Sequence, residues 1–376
     1  MNRMIKNTIK GLSWFFHLFP LKKNKVFLMS FDGTAVGHDS KAFVRWCLNQ
    51  GHFFEFVWGA KDKNYASKMK YQGVRFVPIK SLRGLYDLLT AKTIIYNINP
   101  PSYVAFRKGQ VLINTWHGFP YKVAGKYRDG YDYKQFNTTT CFLSDAAFCT
   151  ERTIRGDFDY QGEVLTCGTP RTDIFYSPDL IAVSKETRIE LGIEDEYKIV
   201  LYAPTFRQNK GEYSYQDSGL DISTLKESLS RRFGGQWIVL CRLHPMIAHQ
   251  FNIDRKDVVD VSLYDDTQNL LCVSDVLITD YSSVNWDFAL MKRPVFIYAE
   301  DVEEYKESRG LVVPLDSWPF PISKNNVELQ HAIESFDEIA YLKRVEKYQE
   351  MLGNYDIGKS CETVYKYIIA KGGMDK

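Results

Sequence analysis

The sequence predicts an α/β protein of two doubly wound domains that face a cleft, preceded by an amphipathic helix. First, the chain has 376 residues, which suits two domains of ordinary size better than one core. Second, short apolar runs alternate with helical stretches in both halves, a pattern typical of parallel sheets covered on both faces. Third, the first 19 residues repeat apolar side chains at helical spacing.

Composition indicates a folded protein, with 45% hydrophobic and 25% charged residues. The formal net charge is only +2, so no strong positive field favours nucleic acid as a partner. The seven cysteines are scattered, and no two have the C-x-x-C spacing of a metal or redox site. A reducing compartment therefore fits best.

The amino-terminal segment, residues 1–24, concentrates the basic character of the chain. Residues 1–31 contain six basic and no acidic residues, leaving 42 basic against 46 acidic in the remainder. One predicted helix face carries Ile5, Ile9, Leu12, Phe16 and Phe19, and the face is widened by Trp14, Phe15 and Leu18. This pattern favours a helix lying on an anionic membrane surface, and it is too short to span a bilayer. The alternative is a helix packed on the protein's own body.

The first domain, residues 25–180, contains the earlier series of elements. Buried strands are predicted at 26–31, 53–58, 74–78, 93–97 and 111–116, and helices at 40–49 and 82–91. The second domain, residues 181–376, repeats the rhythm. Its predicted strands are 198–202, 237–243, 258–261, 276–280 and 295–298, and its last helices are 337–352 and 359–370. A hinge is predicted at 176–196 and a flexible loop at 208–219.

The motif NTWHGFPYK, residues 114–122, follows a predicted strand. We predict that His117 accepts a proton from an attacking hydroxyl, since imidazole titrates near neutral pH. Gly118 allows close approach of the backbone to a ligand, and Lys122 offsets phosphate charge. The alternative is a strand-end histidine with a structural hydrogen bond. The other candidate contacts in this motif are Trp116, Phe119 and Pro120.

The motif RLHP, residues 242–245, ends another apolar strand. Strand alternation points Arg242 and His244 the same way, so both are predicted to reach one anionic group, with Leu243 between them. We expect His244 to act beside His117 in catalysis.

The motif TDYSSVNWD, residues 279–287, is predicted to join a strand ending at Asp280 to a helix that runs to Lys292. Ser282 and Ser283 open this helix, where main-chain amides and the helix dipole favour phosphate. Asp287 lies one turn further and is predicted to bind polyol hydroxyls. The alternative is that Ser282 is only a helix cap.

Two weaker motifs complete the set. GTPR is predicted as a turn that presents Arg171, and APTFR places Pro204 and Thr205 after a strand. The sequence has no P-loop, no G-x-G-x-x-G after the first strand, no D-x-D pair suited to a divalent cation and no H-E-x-x-H. We therefore expect no metal and no cofactor.

The order HGFPYK, GTPR, APTFR, RLHP and TDYSSVNWD resembles the CDP-glycerol:poly(glycerophosphate) glycerophosphotransferases over residues 25–310. The resemblance implies a GT-B fold of two Rossmann-like domains, with the acceptor domain first and the CDP-donor domain second. It implies transfer of glycerol phosphate from CDP-glycerol to a lipid-linked saccharide acceptor, with release of CMP, on the cytoplasmic side of the membrane. By the same resemblance His117 is the base. The implied donor contacts are Arg171, Pro204, Thr205, Arg242, Leu243, His244, Ser282, Ser283 and Asp287.

Departures from the family pattern leave the substrate open. Phe119 stands where a small residue is common, and Asn285 where an aromatic residue is frequent. CDP-ribitol remains an alternative donor, and a GT-B glycosyltransferase that uses a nucleotide sugar is an alternative enzyme. A non-catalytic lipid-polymer binding protein is a third reading. The acceptor, the number of units added and the formation of a homo-oligomer also stay open.

Overall fold

The computed structural model describes residues 3–128, 130–205, 219–243 and 258–372, without the side chains of 3–7 and 306–309. These residues form two compact units. The first contains residues up to His117, Ala124–Tyr176 and those from Asn354, and the second contains Gly118–Val123 and Ser177–Gly353.

The described strands are β1 (Lys22–Met29), β2 (Glu55–Ala60), β3 (Val74–Pro78), β4 (Ala91–Tyr96), β5 (Val111–Asn114), β6 (Cys141–Ser144), β7 (Glu163–Thr166), β8 (Tyr197–Ala203), β9 (Gln236–Cys241), β10 (Val258–Asp260), β11 (Val276–Thr279), β12 (Val295–Tyr298) and β13 (Ile322–Ser323). The described helices are α1 (Arg3–Phe16), α2 (His38–Asn49), α3 (Lys63–Lys68), α4 (Leu82–Thr90), α5 (Asp179–Leu191), α6 (Ile222–Phe233), α7 (Thr267–Val273), α8 (Val284–Ala289), α9 (Val302–Arg309), α10 (Asn326–Glu334), α11 (Glu338–Leu352) and α12 (Ser360–Gly372).

Each unit has one parallel sheet, as the alternation of strands and helices predicted. The first sheet has the order β3-β2-β1-β4-β5-β6-β7, and the second has the order β10-β9-β8-β11-β12-β13. Pairing of Val26 with both Phe56 and Thr93 fixes the register at the centre of the first sheet. In both sheets the winding direction reverses between two central strands, β1 and β4 in one, β8 and β11 in the other. Ligands of open α/β sheets bind at such reversals, outside the carboxyl ends of the strands.

The core of the first unit lies on both faces of its sheet, because side chains of β1 alternate between them. Val26 and Leu28 pack with residues of α2 and α12 on one face, including Phe43 and Ile368. Phe27 and its alternate neighbours pack with α4 and α1 on the other face. An unbroken run of apolar residues in β1 therefore reflects burial on both sides.

A buried ion network joins β1 to α4 and β3 near the amino-terminal end of β1. Lys25 Nζ donates to Asp87 Oδ1 at 2.8 Å, and Arg75 Nη1 donates to Asp87 Oδ2 at 2.7 Å. Burial would raise the pKa of the Asp87 carboxyl, but hydrogen bonds from Arg75 and Lys25 outweigh it and lower that pKa to about 2. Lys25, one of the six basic residues of residues 1–31, is thus part of the core.

The predicted domain boundaries are corrected at the carboxyl end. Residues from Asn354 were assigned to the second domain, but they return to the first unit, where α12 packs near α2, β4 and β5. Gly118–Val123 was assigned to the first domain, but it belongs to the second unit. Sequence periodicity marks α12 as a helix but does not specify which sheet it covers.

Several element predictions need smaller corrections. Strands β6, β7 and β13 were not predicted, because they are short and mix polar with apolar residues. The charged helix predicted within 176–196 is α5, which begins at Asp179, and the role of this segment as a hinge remains a prediction. The predicted loop at 208–219 lies outside the described residues except for Gly219.

The amino-terminal helix is present, but its predicted apolar stripe faces the protein body in part. Phe16 is buried in the core of the first unit, and Ile9 packs against it. The widening residues are the most exposed: Trp14 is 64%, Phe15 56% and Leu18, just after the helix, 79% accessible, while Leu12 and Phe19 of the stripe are exposed to a smaller extent. The helix therefore has one face packed on the protein and a second apolar face toward solvent.

Across the described ranges, no helix combines the length and the apolar character that crossing a bilayer requires.

Candidate active site

In the first unit, the loops after β1, β4 and β5 meet beside the reversal of winding between β1 and β4. Phe31 follows β1, Asn97 follows β4 and His117 follows β5. The Phe31 amide donates to Asn97 Oδ1 at 2.9 Å, and the Phe31 ring lies 5.9 Å from the His117 ring in an edge contact. The predicted position of His117 at a strand end is confirmed.

The His117 imidazole has a defined orientation. Its Nδ1 lies 2.9 Å from the main-chain oxygen of Asn97, and the ring is half-buried. A carbonyl oxygen only accepts, so Nδ1 carries the proton in this contact. The neutral ring then has its lone pair on Nε2, the atom that would accept a proton from a hydroxyl. This is a geometry in which a histidine acts as a general base.

Trp116 has a packing role. It has a φ of 53°, which is unfavourable for a bulky residue, and its ring contacts Phe158 at 4.7 Å and Phe136 at 6.0 Å. Its ring also contacts that of His117 at 4.1 Å. The Trp116 ring therefore supports the histidine, and its predicted contact with substrate remains a prediction.

In the second unit, Gly118 lies against Ser283, so two predicted site residues meet. Gly118 has a φ of 147°, and a Cβ at this position would lie 2.2 Å from Ser283 Oγ. Only glycine combines this backbone conformation with so close an approach. The close neighbour here is a protein side chain, and the predicted approach of a ligand to Gly118 remains a prediction.

The rest of the motif packs within the second unit. Phe119 stacks on Trp286 with 4.2 Å between ring centroids, and Pro120 is buried. Lys122 Nζ lies 5.7 Å from the Tyr305 ring centroid, a cation–π distance. The bulk of Phe119, a departure from the family pattern, is thus accommodated by an aromatic core contact.

Thr205 and Asp280 join the two strands at the reversal in the second sheet. Thr205 follows β8 with Pro204 before it, and Asp280 follows β11. The Thr205 amide lies 2.9 Å from both Asp280 carboxylate oxygens, and its hydroxyl donates to Oδ1 at 2.5 Å. Asp280 holds the Thr205 loop in place. It was not predicted as a site residue, although its position at a strand end was a usable signal.

The helix after Ser282 and Ser283 is shorter than predicted. It covers Val284–Ala289 rather than extending to Lys292. Ser283 has helical angles and caps no amide with its side chain, and the Val284 amide lies 3.5 Å from Ser282 Oγ, the limit of a hydrogen bond. Both serines are half-buried, so the capping alternative has little support here.

Asp287 is buried and faces α7. Gln268 Nε2 donates to Asp287 Oδ2 at 3.0 Å. The proposed contact of Asp287 with polyol hydroxyls remains a prediction, and Gln268 is a neighbour that sequence reasoning missed.

Arg242 binds the protein's own backbone. Its Nη1 donates to the carbonyls of Val261 at 3.0 Å and Tyr264 at 2.8 Å, and burial lowers the guanidinium pKa. The Leu243 amide donates to Ser262 Oγ at 2.9 Å. These bonds fix the loop after β10, which corrects the picture of Arg242 as a phosphate contact alone. His244 lies outside the described residues.

Arg171 is not presented by its turn. Its side chain is 2% exposed, its amide donates to Asp39 Oδ1 at 3.0 Å, and its Nη1 lies 3.4 Å from Asp39 Oδ2. The buried pair ties the turn at Pro170–Tyr176 to α2. The contact of Arg171 with the donor remains a prediction, and the pair with Asp39 is the contact that the structure shows.

The part of the chain that the structure describes holds no group of three or more His, Cys, Asp or Glu residues arranged to bind a metal ion.

Comparison with known proteins finds relatives among teichoic acid enzymes. The chain is 27% identical to a teichoic acid poly(glycerol phosphate) polymerase of Bacillus subtilis over 90% of its length, but spans only 48% of that relative. It is 28% identical to a teichoic acid glycerol-phosphate transferase of Staphylococcus aureus, covering 96% of this chain and 100% of the relative. It is 32% identical to a teichoic acid ribitol-phosphate primase of Bacillus spizizenii, covering 76% of each.

The fold is also that of a solved structure. The wall teichoic acid polymerase TagF superimposes with a TM-score of 0.83 at 23% identity, covering 98% of this chain and 94% of the other. A family model described as CDP-Glycerol:Poly(glycerophosphate) glycerophosphotransferase matches residues 12–370. The chain therefore belongs to the CDP-glycerol:poly(glycerophosphate) glycerophosphotransferase family.

Proposed function

We propose that this chain transfers a polyol phosphate, glycerol phosphate in the first instance, from a CDP-polyol to a hydroxyl of a lipid-linked saccharide acceptor. CMP is the second product, and the reaction serves synthesis of teichoic acid or a capsule-type polymer. The observation that carries the proposal is the His117 imidazole, which is oriented by the Asn97 carbonyl with Nε2 as its basic atom. Family membership supplies the donor class.

The proposal includes a GT-B arrangement. The two parallel sheets and the likeness to TagF support two Rossmann-like domains, the first for the acceptor and the second for the CDP donor. Domain closure around the substrates would position them and exclude water.

The reaction is a displacement at the β-phosphorus. The acceptor oxygen attacks phosphorus while Nε2 of His117 removes the hydroxyl proton. A new phosphodiester bond forms, and the bond between the β-phosphorus and the bridging oxygen breaks, so that CMP leaves with that oxygen. Ser282 and Ser283, at the reversal in the second sheet, are the hydroxyl donors proposed to stabilise the pyrophosphate charge.

The proposed location is the cytoplasmic face of a membrane with anionic lipid. The exposed apolar face of α1, formed by Trp14, Phe15 and Leu18, supports this location. Exposed Lys10 and Lys22 on and beside the helix supply the matching positive charge.

Ribitol phosphate is the second candidate group. The 32% identity to a ribitol-phosphate primase favours it specifically, since that relative differs from the others in the polyol that it is named for. A nucleotide-sugar glycosyltransferase is the alternative enzyme, which would have the same fold but a different donor and a different product.

Incubation with CDP-glycerol and with CDP-ribitol in the presence of a lipid-linked saccharide tests the proposal. We expect CMP release and a product heavier by one or more polyol phosphate units. His117→Ala should lower CMP release by at least about 100-fold and leave donor affinity unchanged, because general-base catalysis contributes about 10²–10⁴-fold.

His52→Ala is a matched control, because His52 stacks on Tyr365 at 3.9 Å, away from the loops after β4 and β5. Full turnover by the His117 variant, or a glycoside product, would refute the proposal.

A further inference from the structure

Two buried asparagines lie at the carboxyl ends of β4 and β5, on either side of the loop that carries His117. Asn97 directly follows β4, and Asn114 is the last residue of β5. Their side chains are 1% and 0% exposed. Asn114 belongs to the histidine motif and Asn97 to none of the motifs, and neither was predicted as a site residue.

Asn114 joins the loop after β4 to the turn that contains His117. Its Nδ2 donates to the Ile98 carbonyl at 2.9 Å, and its Oδ1 accepts from the Trp116 amide at 2.8 Å. The second bond holds Trp116 in its left-handed conformation, directly before His117. A carboxamide is required for both bonds, since one group donates and the other accepts.

Asn97 acts on the histidine from the other side. Its main-chain oxygen accepts from His117 Nδ1, and its Oδ1 accepts from the amide of Phe31, whose ring contacts His117. Asn97 Nδ2 is buried and has no hydrogen-bond partner among the described residues. A buried N–H without a hydrogen-bond acceptor lowers stability. The Asn97 side chain is therefore useful through its other atom, Oδ1, which holds the Phe31 amide in place.

We propose that Asn97 and Asn114 are positioning residues that hold His117 in the tautomer with a proton on Nδ1 and a lone pair on Nε2. Asn97 fixes the loop after β4, whose carbonyl accepts from His117 Nδ1, and Asn114 fixes the turn after β5, which carries the His117 ring. The inference rests on the proposed function only for the expected effect of the asparagine variants on CMP release. The tautomer itself is a property of the first unit and is measurable without substrate.

The first experiment reads the tautomer by ¹⁵N NMR of the full chain labelled at histidine. The His117 signals are assigned by their loss in His117→Gln. The wild-type protein should show the Nδ1-protonated form. Asn114→Ala and Asn97→Ala should each increase the Nε2-protonated fraction, because the carbonyl and the ring are no longer held together.

Gln110→Ala is the matched control. Gln110 lies directly before the first residue of β5, whereas Asn114 is the last residue of that strand. Its side chain is buried, and its Nε2 donates to the carbonyls of Leu88 and Ala91 at 2.9 Å each. Its loss removes comparable carboxamide bonds far along the strand from His117. We expect a similar fall in unfolding temperature and an unchanged His117 tautomer.

The second experiment is a double-mutant cycle on CMP release. Asn114→Ala alone should lower kcat by about 10- to 100-fold with KM for the donor unchanged, the scale of a misplaced catalytic group. In the His117→Ala background it should cause no further loss, since its effect passes through the histidine.

Two results would overturn the inference: an Nε2-protonated His117 in the wild-type protein, or an equal loss from Asn114→Ala with and without His117. Should Asn114→Ala fail to fold, the wild-type tautomer and Asn97→Ala still decide the matter. A chain that shows the expected tautomers but releases no CMP would contradict the proposed function and leave the positioning role intact.

Discussion

Gly118 shows how much one residue constrains the site. Its φ of 147° lies in a region that side chains rarely adopt, and the Ser283 hydroxyl occupies the space that a Cβ would need. We expect Gly118→Ala to destabilise the second unit by roughly 1–3 kcal/mol, the cost of a strained backbone conformation, and to lower CMP release. Thermal unfolding and the CMP assay measure the two effects.

A companion variant separates the clash from the backbone strain. Ser283→Gly added to Gly118→Ala removes the hydroxyl that the new Cβ would meet, so part of the stability should return. Gly130→Ala is the control, because Gly130 also has a positive φ, 70°, but nothing within 4 Å of its Cβ position. Equal losses from Gly130→Ala and Gly118→Ala would show that the contact with Ser283 is unimportant.

At the scale of the element, α1 carries two apolar faces with different tasks. Phe16 packs into the first unit beside Tyr86, at 6.2 Å between rings, while Trp14, Phe15 and Leu18 are exposed. We expect replacement of these three exposed residues by serine to weaken binding to anionic vesicles at least about 10-fold, because each buried apolar side chain contributes about 1.5–3 kcal/mol. Co-sedimentation with vesicles of defined composition measures it.

The controls for this helix use exposed apolar residues elsewhere. Ile181 and Ile189 are exposed on α5, and their replacement by serine should leave vesicle binding unchanged. The α1 variant should keep its unfolding temperature, since the buried face of the helix is retained. Unaltered vesicle binding by the α1 variant would rule out this face as the membrane contact.

Elements could be predicted from the sequence more fully than the contacts of single side chains. The strands at 74–78 and 295–298 were predicted with their observed bounds, and the second of them is an uninterrupted apolar run of the kind that identifies a buried strand. Arg171 was predicted to be presented by a turn, and its contact with the donor was implied only by the family resemblance. Its partner Asp39 lies 132 positions away, and no local pattern reports such a pair.

At the scale of the whole molecule, the return of the chain to the first unit depends on a buried acid. Asp356 Oδ1 accepts from the Thr169 amide at 3.0 Å and from the Thr172 hydroxyl at 2.6 Å, beside the turn that contains Arg171. The Tyr176 hydroxyl donates to the Asp356 carbonyl at 2.8 Å. The points where the chain leaves and re-enters the first unit are therefore joined by one residue and its hydrogen bonds.

The protonation of Asp356 makes this junction sensitive to pH. Burial, and next the charge of Asp145, raise the pKa of the Asp356 carboxyl to about 7, against the opposing effect of Thr172, Thr169 and Arg171. In the unfolded chain the same group titrates near its ordinary value of 3.8. The folded state thus holds a proton that the unfolded state has lost, and stability falls as pH rises between these two values.

We therefore expect the wild-type protein to lose stability relative to Asp356→Asn by up to about 1.4 kcal/mol per pH unit as pH rises from 5 to 7, and no further above pH 7. Urea unfolding of both proteins at each pH measures the difference, in which the titration of other groups cancels. Asp159→Asn is the control, because Asp159 is exposed, and its difference from the wild type should stay flat. A difference between wild type and Asp356→Asn that is constant from pH 5 to pH 8 would mean that the carboxyl is ionised throughout and that the junction is held by charge.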